Sequence, residues 1–325
     1  MIHATVIGTG SCLPERKLTN FDLEKMVETS DEWITTRTGI HTRRIAGKGE
    51  ENFRLASRAA MNALEMAGLE PQDIDLIIVA TMSPHMMMPS CACFVQAEIE
   101  AFNAHAYDMN AACSGFLYAL DIADKYICSK PDMKILIIGS ETLSAHVNWH
   151  DRNTCILFGD GAGACVVTGR RDGQGVIDST LCADGRLWNL LYMDSSQSLN
   201  PDLARENYDG SYIKMIGRDV FKHAVKAMAD AVNDLLDKNS LTIHDINLMI
   251  PHQANIRILR KLMERIGIAQ EKVYINVDKY GNTSAASIPI ALDEANRQGL
   301  VRGGDQLLFC SFGGGFTWGS LLMQW

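Results

Sequence analysis

The sequence has 325 residues, about two domains at roughly 150 residues each, enough to bury a large core without disulfides or a structural metal. Apolar residues make up 47% and charged residues 21%, which excludes a disordered chain. The net charge of −9 argues against a nucleic-acid or anionic-membrane partner, no apolar run approaches a membrane span, and Met1-Ile-His-Ala-Thr-Val6 lacks the basic segment of a signal peptide. The nine cysteines (Cys12, Cys91, Cys93, Cys113, Cys128, Cys155, Cys165, Cys182, Cys310) are scattered and odd in number, as expected of a chain kept in a reducing cytoplasm.

Short β-rich apolar runs alternate with longer helical patterns, an α/β signature. Near the start, Gly8-Thr-Gly10-Ser11 lacks a P-loop lysine and reads as a tight turn; Gly159-Asp-Gly161-Ala-Gly163 reads the same way. Residues 31–49 read as a surface excursion carrying Trp33, Arg37, Arg43 and Arg44. An exposed indole beside guanidinium groups suits a nucleotide-bearing ligand, whereas a solvated loop over a buried Trp is the plainer alternative. Asp75 to Thr81 is a predicted buried strand. Cys91-Ala-Cys93 has no second ligand pair, so no metal site is expected. Ala104 to Asn110 is a predicted strand leading through Cys113 into a helix over Ser114 to Ala123, followed by strands at Lys134 to Gly139 and Gly159 to Val167. Residues 170–210, rich in Gly, Asp, Ser and Asn, read as a second irregular excursion.

Beyond it the same order recurs: Ile246 to His252, Lys272 to Val277, a helix from about Ser284 to Arg297, Gln306 to Ser311, and Gly313 to Leu322. Four ordered matches indicate a duplicated α/β unit, with halves 1–171 and 172–325. Each half then ends its strands at a common edge, where open α/β sheets build their sites.

Three polar residues fall at that edge. Cys113, in Asn110-Ala-Ala-Cys-Ser-Gly115, lies between a strand and a helix start, where the helix dipole and free N–H groups lower a thiol's pKa. His252 ends a strand in Ile250-Pro-His-Gln-Ala-Asn255. Asn282, in Tyr280-Gly-Asn-Thr-Ser284, is an N-cap when read alone; under duplication it becomes the pseudo-symmetric partner of Cys113. Gly313-Gly-Gly315 permits backbone N–H groups to face a ligand, as an oxyanion hole requires.

The motifs Ala112-Cys-Ser-Gly115, Pro251-His-Gln-Ala-Asn255, Tyr280-Gly-Asn-Thr283 and Phe312-Gly-Gly-Gly-Phe-Thr-Trp-Gly319, in this order and spacing, resemble β-ketoacyl-[acyl carrier protein] synthase III, the initiating condensing enzyme of bacterial fatty-acid synthesis. The resemblance runs end to end, from Val6-Ile-Gly-Thr-Gly10 through Trp33-Ile-Thr-Thr-Arg37 to the C-terminal residues. It implies a homodimer with a thiolase-like duplicated fold, layered α-β-α-β-α, a Cys-His-Asn triad and no bound cofactor.

Carried over by residue, the resemblance implies that Cys113 takes an acyl group from acyl-CoA, and that His252 and Asn282 hydrogen-bond the thioester carbonyl of malonyl-[acyl carrier protein] during decarboxylation. The same resemblance implies that the backbone N–H groups of Cys113 and Gly314 form the oxyanion hole, that Trp33 and Arg152 sandwich the CoA adenine with Arg37 near the phosphates, and that Gly217 and Asn255 line the pantetheine tunnel. By the same resemblance Met88 stands where the family commonly has a Phe that closes the acyl pocket across the dimer interface, and the flexible methionine is expected to admit longer or branched primers. Arg257, Arg260, Lys261 and Arg265, on one helix, offer a local basic face to the acidic carrier protein. Same-fold enzymes of secondary metabolism, a Cys-His-Asn hydrolase and a non-catalytic carrier-protein-binding scaffold are the competing readings.

Overall fold

The computed structural model describes residues 2–170 and 173–325. The expected boundary between 171 and 172 lies outside the described residues. On its N-terminal side, strands β1 (His3–Cys12), β2 (Leu76–Ala80), β3 (His105–Met109), β4 (Ile135–Thr142) and β5 (Asp160–Arg170) form one sheet in the order β1-β5-β4-β2-β3. On its C-terminal side, β6 (Gly175–Ala183), β7 (Leu248–Pro251), β8 (Gln306–Gly313) and β9 (Thr317–Gln324) form a second in the order β6-β9-β8-β7. The polarities match along β2-β4-β5-β1 and β7-β8-β9-β6: the first pairing of each is parallel and the next two are antiparallel, while β3 adds a further strand parallel to β2.

Five layers result. Helices α2 (Asn52–Ala67) and α3 (Cys91–Glu98) cover the outer face of the first sheet, and α5 (Gly217–Lys238) and α6 (Ile256–Ile266) that of the second. Between the sheets lie α4 (Gly115–Ser129) and α7 (Ser287–Arg297), in a core shared by both. A short helix near the start, α1 (Asp31–Thr38), belongs to a fourth apolar cluster. Strand β2 shows why the apolar runs are continuous: Leu76, Ile78 and Ala80 face the central helices while Ile77 and Val79 face α2 and α3, so both faces are dry. Fully burying each of the Leu, Ile and Val side chains here contributes about 1.5–3 kcal/mol.

Four expectations are corrected. Gly8 and Gly10 are not a turn but part of β1, where a Cβ would lie 2.3 Å from the α2 carbonyls of Ala63 and Ala59 respectively. Gly161 and Gly163 are likewise within β5, and Gly163 would meet Ile290 N of α7 at 2.5 Å. These glycines set the strand-to-helix approach. Residues 31–49 are ordered as α1 and the strand Thr42–Arg44, and Arg43 is fully buried, bonded to the carbonyls of Leu18 and Ile156 and to Asn20 Oδ1. The excursion at 170–210 contains β6, an edge strand of the second sheet; its 194–210 portion is mostly exposed. Lys272 to Val277 is no strand: only Val273 bridges to Met249, and a helical turn starts at Val277.

Candidate active site

Cys113 is set by a tight crossing from β3 into α4. Asn110 Oδ1 accepts the Ala112 N–H at 3.0 Å, Ala112 takes φ +47°, and residues 112–114 make one helical turn before α4 starts at Gly115. The turn is tied to the second half: Thr317 Oγ1 donates to the Ala111 carbonyl at 2.8 Å, and Ser114 Oγ donates to the Thr317 carbonyl at 3.1 Å. A Cβ on Gly313 would stand 2.6 Å from Cys113 N, so this glycine permits the close approach of β8 to the thiol-bearing turn.

The other half repeats the device. Asn282 Oδ1 accepts the Ser284 N–H at 2.9 Å, Ser284 takes φ +50°, and residues 284–286 make the turn before α7. The matching register therefore pairs Asn110 with Asn282 and Ala112 with Ser284, correcting the expected pairing of Cys113 with Asn282. With Oδ1 occupied, Asn282 offers its Nδ2 donor to the cavity it lines. His252 leaves β7 with its N–H on the Cys310 carbonyl at 2.8 Å, and its Nδ1 lies 2.7 Å from Ser287 Oγ.

One cavity of about 690 Å³ is lined by Cys113, His252 and Asn282 together with Trp33, Arg37, Gly217, Asn255 and Arg257. The three polar residues are buried, while Arg37, Gly217 and Arg257 are exposed at its open end. Apolar lining comes from Phe312 of the glycine motif and from residues that sequence reasoning missed, including Leu191, Phe221 and Met228.

Electrostatics here are governed by desolvation. Burial pushes the Cys113 thiol up to about 12, helped by the Glu141 charge and opposed by the Ser284 hydroxyl. This corrects the expected lowering. A helix N-terminus favours a thiolate by about 1–2 kcal/mol at most, whereas a rise from 9.0 to about 12 amounts to about 4 kcal/mol. Burial also pushes His252 down to about 4, so the imidazole is neutral. Glu141, which sequence reasoning missed, is fully buried at the end of β4; burial raises it to about 7 although Ser83 Oγ (2.5 Å), Thr81 Oγ1 (3.3 Å) and Met82 N–H (3.2 Å) all donate to it.

Of the remaining candidates, Trp33, Arg37, Gly217, Asn255 and Arg257 line this cavity, and Arg152, Gly314, Met88, Arg260 and Lys261 do not. The Trp33 ring has Arg37 Cζ at 4.7 Å and Arg152 Cζ at 5.2 Å from its centroid. Asn255 caps α6, its Oδ1 accepting the Arg257 N–H at 2.8 Å. Gly314 follows β8 next to the Cys113 turn but is not among the cavity's lining residues. Met88 is 85% exposed on the loop before α3 and does not line this chain's own cavity. On α6, Arg257 reaches the cavity, Arg260 lines a separate cleft of about 500 Å³ with Thr35, His41 and Asp278, and Lys261 pairs with Glu264 at 2.8 Å. Among the other cysteines, Cys91, Cys155, Cys165 and Cys310 are buried as expected of core residues, whereas Cys93 and Cys128 are exposed.

Known proteins resemble this chain in sequence and fold. Residues 107–185 match the family 3-oxoacyl-[acyl-carrier-protein (ACP)] synthase III, and residues 236–325 its C-terminal region. The β-ketoacyl-[acyl-carrier-protein] synthase III of Desulfotalea psychrophila is 57% identical over 324 residues, covering 100% of both chains, and that of Caldanaerobacter subterraneus is 52% identical over 326 residues, covering 100% of this chain and 98% of the other. The crystal structure of 3-oxoacyl-[acyl-carrier-protein] synthase III from Aquifex aeolicus superposes with a TM-score of 0.93 at 49% identity, covering 99% of this chain and 100% of that one. With family match, full-length identity and fold in agreement, the chain belongs to the β-ketoacyl-[acyl-carrier-protein] synthase III family of acyltransferases.

Proposed function

We propose that this enzyme carries out the initiating condensation of fatty-acid synthesis on an acyl-CoA primer and malonyl-[acyl carrier protein] through an acyl-Cys113 thioester. The observation that carries the reading is the one cavity lined by a buried thiol, a neutral imidazole and a free amide donor, with the Trp33 indole and the arginines Arg37, Arg218 and Arg257 also in its lining. In the first half-reaction Cys113 sulfur forms the new thioester, the C–S bond to CoA breaks, and the thiol proton ends on the CoA sulfur. In the second, the C–CO2 bond of the malonyl group breaks and leaves its electron pair as an enolate, held by donors from His252 and Asn282. That carbanion forms the C–C bond to the acyl-Cys113 carbonyl, whose oxyanion is received by the Cys113 and Gly314 N–H groups, and the Cys113 thiolate departs. The sequence is redox-neutral, so no cofactor is invoked.

Trp33 and Arg152 clamp the CoA adenine, with Arg37 on its phosphates; the present stacking of Arg152 on Trp33 supports a clamp that an adenine would open. Gly217 and Asn255 flank the pantetheine arm. Arg257, Arg260 and Lys261 dock the carrier protein. In a homodimer, the exposed Met88 would reach the partner's acyl pocket, and the halves 1–171 and 172–325 act as the duplicated units. Its place of work in this reading is the cytoplasm; among the described residues no helix is long and apolar enough to cross a membrane.

The test is mass spectrometry of the acyl-enzyme followed by addition of malonyl-[acyl carrier protein], across a panel of acyl-CoA primers. Cys113→Ser should abolish loading, while His252→Ala and Asn282→Ala should load but fail to condense. Equal loss of both half-reactions in the His and Asn variants would overturn the roles given.

A further inference from the structure

An imidazole facing a cavity can act as a hydrogen-bond donor or as an acceptor, and the two serve opposite steps. An acceptor nitrogen takes a proton from a thiol; a donor N–H stabilises an enolate oxygen. Which one His252 presents is decided at its far nitrogen. There Nδ1 lies 2.7 Å from the hydroxyl of Ser287, the first residue of α7, and both side chains are 2% exposed. The same Oγ receives the Gln253 N–H at 3.3 Å. A backbone amide can only donate, so Oγ is the acceptor in that contact, and its single proton is left for another partner. Among the described residues, His252 Nδ1 is the acceptor recorded for it. A hydroxyl donating to Nδ1 requires that nitrogen to be bare, and a neutral ring then carries its proton on Nε2.

We propose that Ser287 is a positioning residue that fixes His252 in the Nε2–H tautomer, so that the imidazole meets the substrate as a donor to the developing enolate oxygen and not as the base for Cys113. The inference rests on the condensing reading above. It explains a parallel at the same wall of the cavity: Asn282 is held by the Ser284 N–H so that only its Nδ2 donor remains free. Two serines of one short segment, Ser284 at the turn and Ser287 at the start of α7, thus orient both polar side chains so that each offers a proton. The neutrality of the buried ring agrees, since an imidazolium would need no such tautomer control.

The test separates tautomer from turnover. In protein labelled with 15N-histidine, long-range proton–nitrogen spectra at pH 7 report which ring nitrogen is protonated, His252 being assigned by its absence in His252→Asn. The wild type should show Nε2–H with a bare Nδ1. Ser287→Ala should shift His252 toward Nδ1–H or a mixture, and lower kcat for condensation roughly 10- to 100-fold with little change in KM or in the rate of acyl-Cys113 formation. Ser287→Thr, which keeps the hydroxyl, should restore both signals; rescue by Thr is not expected if the serine merely fills space. A pure Nε2–H tautomer retained in Ser287→Ala, or wild-type condensation in that variant, overturns the proposal. A wild type that shows the Nε2–H signal but never condenses malonyl-[acyl carrier protein] sinks the condensing reading instead, and with it the function assigned to the donor.

Discussion

Cys113, His252 and Asn282 can be found in the sequence because each sits in a short motif of small residues at a strand end. Glu141, Ser284 and Ser287 cannot, because their environment is assembled from distant segments: Glu141 receives Thr81, Met82 and Ser83 from the end of another strand. Burial moves the two titratable neighbours of the thiol in opposite senses, and this gives a pH prediction. Glu141, held at about 7 against 4.5 when unfolded, contributes stability that is complete below pH 4.5 and lost as pH rises through 7. For His252, at about 4 against 6.5, the contribution is complete above pH 6.5 and lost as pH falls through 4. In the wild type the two slopes oppose each other. Glu141→Gln removes the first alone, so its stability relative to wild type should climb by about 3 kcal/mol as pH rises from 4.5 to 7. Urea unfolding of both proteins at pH 5, 6 and 7 measures this, and a constant difference would show that Glu141 titrates normally in the fold.

Elements were legible where burial is two-sided and obscure where a side chain does the work of a strand. The continuous apolar runs of β2, β4 and β8 mark them as central strands. Lys272 to Val277 has the same apolar character, yet its ladder is replaced by Gln253: Nε2 donates to the Tyr274 carbonyl at 3.1 Å, and Oε1 accepts the Asn276 N–H at 3.0 Å. No local pattern announces a glutamine amide standing in for a neighbouring strand. Glycines misled in the same way, since spacing cannot distinguish a turn from a strand on which a helix lies close. Gly163→Ala tests that distinction. Its Cβ would fall 2.5 Å from Ile290 N and 2.6 Å from Pro289 C, main-chain atoms that no rotamer change can clear. Helix α7 must then lift from β5, at a cost of about 1–3 kcal/mol or more. Because α7 carries Ser287 and follows the Asn282 turn, condensation should fall together with the unfolding midpoint. Gly303→Ala, with nothing within 4 Å of the new methyl, should match the wild type in both.

At the scale of the whole molecule, duplication was readable from strand order, but the distribution of charge was not. A net charge of −9 repels an acidic carrier protein unless a local face is left positive. The structure divides the four basic residues of α6: Lys261 is paired with Glu264 at 2.8 Å and Arg265 with Asp230 at 3.5 Å, whereas among the described residues Arg257 and Arg260 have no carboxylate partner. Of those two guanidinium groups only Arg257 also lines the cavity that would take CoA. Arg260 therefore separates docking from primer binding. Charge reversal in Arg260→Glu should raise KM for malonyl-[acyl carrier protein] by roughly tenfold, the equivalent of about 1.4 kcal/mol, while acyl-Cys113 formation from acyl-CoA keeps its wild-type rate. Surface charges separated by more than ~8 Å are screened at physiological ionic strength. The wild-type KM for the carrier protein should accordingly rise with added salt and approach that of the variant, which should itself respond less. Kinetics of both half-reactions over a salt series measure this, and an Arg260→Glu enzyme with wild-type KM at low salt would move the docking face off α6.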